Sequence, residues 1–210
     1  DLYVYMTRAL MVTERIKVSS AVTNPFTRHF SVTANAHATL DEMFPGRVML
    51  GIGRGDNAVR TLGLEPVKTS HLAQTVPLIK GLIEGEMVES GGVTLQSQWR
   101  KSGSVPILMA GTGPKNLQLA GALADCVMIQ IGVNPEACAW AVGHVRRGAV
   151  ESGRDPDSVK VIVHGAVAVC DPSELEEAYR DCSWEAELIS IHVGNVAKAA
   201  GIDTLPSPLQ

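Results

Sequence analysis

The chain has 210 residues, of which 45% are hydrophobic and 19% are charged, and these proportions exclude a disordered protein. A formal charge of -4 offers no general electrostatic basis for binding nucleic acid or an anionic membrane. No apolar run approaches the roughly 20 residues of a membrane span, and we expect no secretory signal. The 4 cysteines are dispersed and lack C-x-x-C spacing, so we expect a cytoplasmic protein.

Five apolar runs are predicted to be β-strands, and longer helical stretches alternate with them. The predicted strands are residues 15–22, 47–52, 105–110, 126–131 and 159–169. The central three are almost continuously apolar, as is typical of parallel strands that are covered on both faces. A strand followed by a helix, repeated along the chain, predicts right-handed β-α-β units and the α/β fold class.

Two helices are predicted in the first part of the chain. Residues 1–13 have the apolar spacing of a helix, although no predicted strand precedes them. Ser31 is expected to cap a second helix that buries Val32, Ala36 and Leu40. His37 falls in the middle of that helix, where we expect a packed or solvated side chain rather than a metal ligand.

Helix ends are also predicted in the second half of the chain. Asn134-Pro135-Glu136 supplies an N-cap, a proline in the first turn and an acidic residue that favours the helix dipole. This helix is predicted to end at residue 151 or 152, with Gly153 as its left-handed terminator. Asp171-Pro172-Ser173-Glu174 predicts a capping box.

Residues 86–100 interrupt the alternation of strands and helices. They are predicted to form a small hairpin that turns at Gly91-Gly92, inserted within a loop of a single domain that spans residues 1–210. An eight-stranded β/α barrel typically needs about 250 residues. Either the sheet is open or the chain lacks pieces at both ends, and we expect missing pieces.

Two glycine-rich turns directly follow predicted strands. They are Gly51-Ile52-Gly53-Arg54-Gly55-Asp56 and Gly111-Thr112-Gly113-Pro114-Lys115, the second of which opens a helix at Pro114. Glycine allows close approach of a ligand to the backbone, and free N–H groups at a helix start attract phosphate. Neither turn matches the dinucleotide-binding fingerprint or the P-loop, so phosphate binding and a tight β-α turn are both open.

A polar loop, Thr23-Asn24-Pro25-Phe26-Thr27-Arg28-His29, follows the first predicted strand. In β/α proteins, sites are built at the carboxyl ends of the strands. The alternative is a capped loop in which Asn24 and Thr27 bond the local backbone. The six histidines have no metal-ligand spacing, so we predict no metal site.

Residues 23–63 and 105–132 together resemble the luciferase-like monooxygenase superfamily. The first run, TNPFTRHFSVTANAHATLDEMFPGRVMLGIGRGDNAVRTLG, is most similar to the branch of coenzyme F420-dependent reductases of the methylene-tetrahydromethanopterin reductase type. The resemblance implies a (β/α)8 TIM-type barrel that holds a flavin or deazaflavin at its carboxyl end. On this alignment strands 3–7 are present, whereas strands 1, 2 and 8 are not seen.

The resemblance also implies which residues bind the cofactor. Relatives that use F420 carry a non-proline cis peptide at the end of the third barrel strand, and the matching bond here is Ala21-Val22. Thr23 and Asn24 would face the polar edge of the cofactor. The other residues expected to contact the ring, the phosphate or the neighbouring wall are Gly53, Arg54, Gly55, Gly111, Thr112, Gly113, Lys115 and Gln130.

The remaining implied roles concern charged residues. Asp56 falls where some relatives place a carboxylate with an acid–base role, and helix capping is the alternative. Arg28 and His29 are candidates to meet the substrate or the anionic tail of the cofactor, as Arg54 and Lys115 are. A further proton donor is expected on the absent first strands.

The function that the resemblance implies is hydride transfer between coenzyme F420 and a small organic substrate, in a protein that we expect to be a homodimer. One alternative is an FMN-dependent monooxygenase of the same family. The other is a non-catalytic member that only binds flavin or dimerises.

Overall fold

The computed structural model describes residues 1–184, which divide into two compact units. The first unit comprises residues 1–110 with 123–126, and the second comprises residues 111–122 with 127–184 of the described part. Each helix or strand is assigned below to the unit that holds most of its residues. None of the helices in residues 1–184 combines the length and apolar composition needed to cross a bilayer.

Three parallel strands, in the order β1–β2–β5, form the sheet of the first unit. Its elements are α1 (Leu2–Met11), β1 (Val18–Ser19), α2 (Phe30–Met43), β2 (Val48–Ile52), α3 (Asp56–Arg60), α4 (Thr69–Glu84), β3 (Val88–Ser90), β4 (Val93–Leu95) and β5 (Ile107–Gly111). Leu50 and Ile52 on β2 and Ile107 and Met109 on β5 are almost completely buried. The strands predicted at 47–52 and 105–110 are therefore confirmed to within two residues, because continuous apolar runs are what a strand covered on both faces requires.

The first predicted strand is much shorter in the structure than in the prediction. β1 contains only Val18 and Ser19, whereas residues 15–17 are exposed and outside any strand. The Ile16 carbonyl instead accepts a hydrogen bond from Arg47 Nε (3.0 Å). The sequence pattern did not predict where the strand begins, because the strand begins where its pairing partner does. The first pair is Val18 with Val48, the first residue of β2.

The prediction for the cap and the buried face of α2 is wrong. The helix begins at Phe30 because the His29 ring, rather than Ser31, provides the cap: His29 Nδ1 accepts a hydrogen bond from Ser31 N (3.4 Å). Val32 is 51% exposed and Ala36 is only half-buried, although Leu40 is buried as predicted. The buried face consists of Thr33, Ala34, His37, Ala38 and Leu40.

The hairpin predicted within residues 86–100 is confirmed. β3 and β4 pair antiparallel, and the turn between them places Gly91 and Gly92 at φ 59° and 77°. Two consecutive positive φ angles are the requirement of the tight hairpin turn that favours glycine. The chain after the hairpin is anchored by Arg100, which is 4% exposed and pairs with Asp41 (2.6 Å) and Glu42 (2.8 Å) on α2.

The second unit contains α5 (Pro114–Leu123), β6 (Cys126–Ile129), α6 (Pro135–Glu151) and β7 (Lys160–Val163). β6 and β7 are adjacent in the sheet, and His164 N donates to Ile129 O (2.9 Å) just beyond β7. The predicted strand 159–169 is too long, since Val167 and Val169 are 82% and 99% exposed and form no strand. Among the described residues, β7 therefore ends at Val163.

The helix ends predicted in the second unit are confirmed. Asn134 Oδ1 accepts hydrogen bonds from Glu136 N (2.9 Å) and Ala137 N (3.0 Å), and α6 ends before Gly153 at φ 75°. Asp171 and Glu174 form the capping box of a short 3-10 helix, and residues 175–184 are helical. These local signals predicted well because a cap is decided by residues three or four positions apart.

Candidate cofactor site

The polar loop of residues 23–29, a candidate site in the sequence analysis, follows β1 beside the carboxyl end of β2. The strands pair in register at Ser19 and Met49, and a parallel bridge between Thr23 and Ile52 continues the pairing. Residues 19–23 therefore lie opposite residues 49–52, so the segment that continues β1 contains one more residue than the segment of β2 that it pairs with. An extra residue of this kind is a β-bulge, which commonly re-aims side chains beside a binding site.

The Ala21–Val22 peptide lies within this bulge and is cis, as the family resemblance implied. Ala21 is exposed and Val22 is half-buried. A Cβ atom on Gly53 would lie 3.0 Å from Val22 Cγ2 and 3.8 Å from the Cβ of Ala110. Glycine at position 53 therefore lets the ends of three neighbouring segments meet with only small apolar groups between them.

Thr23 carries the most informative side chain of the site. Its backbone is fully used, because Thr23 N donates to Gly51 O (2.9 Å) and Thr23 O accepts from Gly53 N (2.9 Å). The residue is 2% exposed, yet its Oγ1 has no hydrogen-bond partner within residues 1–184. Such a group destabilises the protein unless something bonds it, so the residues present fit a bound molecule with a polar edge.

Asn24 both shapes the loop and offers hydrogen-bond donors. Its Oδ1 accepts from Phe26 N (3.0 Å) and Thr27 N (2.9 Å), which is the capped loop that was the alternative to a site. Because these donors fix the oxygen, the position of the Nδ2 amide is fixed as well, and it has no hydrogen-bond partner in the described part of the chain. A Cβ on Gly55, at φ 88°, would lie 2.8 Å from Asn24 Cγ, so glycine is required beside the amide.

Each predicted charged residue of the first unit has a local partner. Arg28 pairs with Asp1 and lies over the Tyr3 ring, 5.0 Å from its centroid. Arg54 Nε donates to the carbonyl of Val67 (2.5 Å). His29 caps α2, as described above.

Asp56 is the first residue of α3 and forms an ion pair with Arg60 one turn later. This contact raises the pKa of the Arg60 guanidinium, through its hydrogen bond to Asp56 and the charge of that carboxylate. The Asp56 side chain is 36% exposed, so the ion pair contributes little to stability. The residue that precedes it, Gly55, occupies the N-cap position without a side-chain hydrogen bond.

The second glycine-rich turn belongs to the second unit. Gly111-Thr112-Gly113 leads into α5, whose first hydrogen bond runs from Leu117 N to Gly113 O (3.0 Å). A Cβ on Gly113 would meet no atom within 4 Å, so the backbone of this turn borders open space. Lys115 is exposed in the first turn of α5, and Gln130 is half-buried immediately after β6.

A buried hydrogen-bonded cluster of Ser20, Gly51 and His37 was missed by the sequence analysis. Ser20 Oγ lies 2.8 Å from both Gly51 N and Gly51 O, and 3.3 Å from His37 Nε2. His37 Nδ1 bonds the Thr33 carbonyl (2.8 Å), and burial lowers the pKa of His37 from 6.5 to about 4 although that bond opposes the shift. The signal that could have revealed the cluster is the pairing register, which the sequence does not display.

Comparisons with known proteins identify the family that this chain matches. The family described as luciferase-like monooxygenase matches residues 1–204. A 5,10-methylenetetrahydromethanopterin reductase from Methanolobus tindarius is 34% identical over 180 residues, which cover 80% of this chain and 53% of the relative. An F420-dependent glucose-6-phosphate dehydrogenase from Microbacterium testaceum is 32% identical over 169 residues, which cover 74% of this chain and 50% of that enzyme.

A solved structure supports the fold. The coenzyme F420 dependent tetrahydromethanopterin reductase from Methanopyrus kandleri is similar with a TM-score of 0.71 at 24% identity, over 99% of this chain and 73% of that one. This likeness confirms the predicted fold class, a (β/α)8-type barrel of which residues 1–184 hold fewer than eight strands. The chain spans about half the length of the two sequence relatives.

Proposed function

The chain belongs to the luciferase-like monooxygenase family, and from this premise we propose that it is an oxidoreductase that binds coenzyme F420. Its reaction is the transfer of a hydride between this deazaflavin and a small organic substrate. The observation that carries the proposal is the buried hydroxyl of Thr23, which has no partner in residues 1–184, on a residue whose carbonyl bonds the Gly53 N–H (2.9 Å). The F420-dependent relatives favour F420 over FMN.

The residues of the first unit have complementary roles toward the cofactor ring. Val22, Gly53 and Ala110 provide a surface of small groups, which suits close packing against a flat ring. The Thr23 hydroxyl and the Asn24 amide provide hydrogen-bonding groups for the polar edge of the ring. When bound, the cofactor supplies the hydride chemistry, and these residues orient it and exclude water.

Asp56 is proposed to hold or accept the proton that accompanies hydride transfer. Its carboxylate is fixed at the start of α3 by the ion pair with Arg60 and remains 36% exposed, so protons can reach it. We expect Asp56→Asn to lower turnover and leave cofactor affinity nearly unchanged.

The family resemblance assigns the anionic tail of the cofactor to the glycine-rich turn of Gly111, Thr112 and Gly113, and we adopt this assignment in the proposal. This turn opens α5, a Cβ on Gly113 would meet no atom within 4 Å, and Lys115 adds an exposed positive charge. Arg28 and Arg54 are weaker candidates for this role because Asp1 and the Val67 carbonyl already bond them. Gln130, which follows β6, is proposed to contact the ring, as the resemblance implies. His29 is proposed to contact the substrate or the anionic tail.

The proposal is tested by titrating the purified protein separately with F420 and with FMN and following cofactor fluorescence. We expect saturable binding of F420, weakened about tenfold by Thr23→Val, because one buried hydrogen bond is then lost. Thr61→Val is the control, since within residues 1–184 the exposed Thr61 hydroxyl at the end of α3 bonds the Asn57 carbonyl. Preferential binding of FMN would favour the monooxygenase alternative, and binding of neither cofactor would contradict the proposal.

We further propose that the protein acts on its small-molecule substrate in the cytoplasm, as a homodimer. Its four cysteines are free thiols, which suits a reducing compartment. Sedimentation equilibrium should give the mass of two chains, and the mass of one chain would contradict the dimer.

A further inference from the structure

The bulge at the end of β1 is held by the buried cluster of Ser20, Gly51 and His37. We infer that His37 is a positioning residue, which fixes residues 20–23 for cofactor binding through the hydroxyl of Ser20. This inference deepens the proposed function and rests on it, because residues 22–24 are the proposed ring contacts. No other polar side chain in residues 1–184 bonds the Ser20 hydroxyl.

The first step concerns the backbone of Gly51, which bonds the Ser20 side chain through both its N–H and its carbonyl. Ser20 Oγ accepts from Gly51 N (2.8 Å) and donates toward Gly51 O (2.8 Å). A Cβ on Gly51 would overlap the Ser20 carbonyl, so the backbones of these two residues are in direct contact. The Ser20 side chain therefore bonds both the N–H and the carbonyl of Gly51.

The second step concerns the proton on the His37 ring. A carbonyl oxygen only accepts, so the bond to Thr33 O (2.8 Å) places the single proton of the neutral ring on Nδ1. Nε2 is then an acceptor, and the only proton it can receive from Ser20 is the hydroxyl proton, across 3.3 Å. The single Ser20 hydroxyl proton is therefore shared between two acceptors, the Gly51 carbonyl at 2.8 Å and His37 Nε2 at 3.3 Å, and together they restrict its direction.

The third step links this cluster to Thr23. The Gly51 carbonyl that receives the Ser20 hydroxyl also accepts the Thr23 N–H (2.9 Å). If the Ser20 side chain becomes mobile, the Gly51 carbonyl is less well fixed, and so is Thr23, which bonds the same carbonyl. Thr23 is the residue whose unpartnered Oγ1 is proposed to bond the cofactor. His37 itself is completely buried and packs edge-to-face on Tyr3 at 5.5 Å, so it acts on the cofactor only through Ser20.

The test compares three variants of α2 with the wild-type protein. His37→Leu removes the acceptor, whereas His37→Gln supplies an amide whose oxygen can take the Ser20 proton. Leu40→Ala is the matched control, because Leu40 is buried on the same helix and has no polar contact with the cluster. The measurements are the Kd for F420, hydrogen exchange of the Gly51 and Thr23 amides by NMR, and the melting temperature.

We expect His37→Leu to raise the Kd for F420 about tenfold, as the loss of one buried hydrogen bond would, and to speed exchange of both amides. His37→Gln should restore both quantities, whereas Leu40→Ala should lower the melting temperature and change neither. If His37→Leu does not fold, the same quantities are compared between Ser20→Ala, which removes the hydroxyl, and His37→Gln.

Two failures can be told apart. If His37→Leu leaves the Kd and the exchange of both amides at wild-type values, the inference is overturned and the proposed function stands. If the wild-type protein binds neither F420 nor FMN, the proposed function fails. The exchange of the Gly51 and Thr23 amides then still decides whether His37 positions this segment.

Discussion

Thr23 and Thr33 are buried threonines of the same unit whose hydroxyl groups are in opposite situations. Thr23 is 2% exposed and its Oγ1 has no partner among the described residues, whereas Thr33 is 1% exposed and its Oγ1 accepts a hydrogen bond from the Tyr3 hydroxyl (3.1 Å). A buried polar group without a partner lowers stability, and one with a partner adds to it. A residue that costs stability in the unliganded protein is best explained by binding.

This contrast gives a prediction for the unliganded protein. Thr23→Val should raise the free energy of unfolding by about 1 kcal/mol, because the unpartnered hydroxyl is removed, and Thr33→Val should lower it by about 1 kcal/mol. Urea unfolding without cofactor measures both values. Destabilisation by Thr23→Val comparable to that by Thr33→Val would show that the Thr23 hydroxyl already has a partner, and would remove the main support for the site.

The packing of α5 against α6 depends on glycine at one crossing. A Cβ on Gly148 would overlap the Gln118 carbonyl, and a Cβ on Gly121 would overlap the Val145 carbonyl. The backbones of the two helices therefore touch, and Arg154 Nη1 bonds the Gly121 carbonyl (2.9 Å) beside the crossing. Because Gly111-Thr112-Gly113 leads directly into α5, this contact also supports the turn proposed to bind phosphate.

Two glycines of α6 provide a matched pair for testing the crossing. Gly148→Ala should destabilise the protein by about 2 kcal/mol, since the added methyl group must push two backbones apart. Gly143→Ala should instead stabilise it by up to about 1 kcal/mol, because alanine is the better helix former and nothing lies within 4 Å of its Cβ. Equal effects of the two substitutions on the urea midpoint would mean that the helices can separate without cost.

For the molecule as a whole, the sequence predicted best what depends on neighbours along the chain. The continuous apolar run of β2, the Asn134 cap and the Gly91-Gly92 turn all appear where they were predicted, because each is decided within a few residues. The sequence also provided a reason to propose a site at residues 23–29, since parallel strands bring their carboxyl ends together. Neither the unpartnered Thr23 hydroxyl nor the Ser20–His37 contact was predicted, because both depend on the bulge between β1 and β2.

The buried imidazole of His37 makes the stability of the protein depend on pH. In the folded protein its pKa is about 4, chiefly because burial disfavours the charged ring, whereas the ordinary value of 6.5 applies to the unfolded chain. Between these values the unfolded chain binds more protons than the folded one, so the free energy of unfolding rises with pH. The contribution of His37 is complete above pH 6.5 and is lost as the pH falls toward 4, by about 3 kcal/mol in total.

His37→Gln isolates this contribution because glutamine does not titrate. Urea unfolding of the wild-type protein and the variant at pH 7, 6 and 5 should show the wild type losing stability relative to the variant at each step down. The carboxylates of the molecule titrate in both proteins and cancel in the difference. A constant difference across the series would mean that His37 takes up its proton equally in the folded and unfolded chains, which a ring buried between the Thr33 carbonyl and the Ser20 hydroxyl should not do.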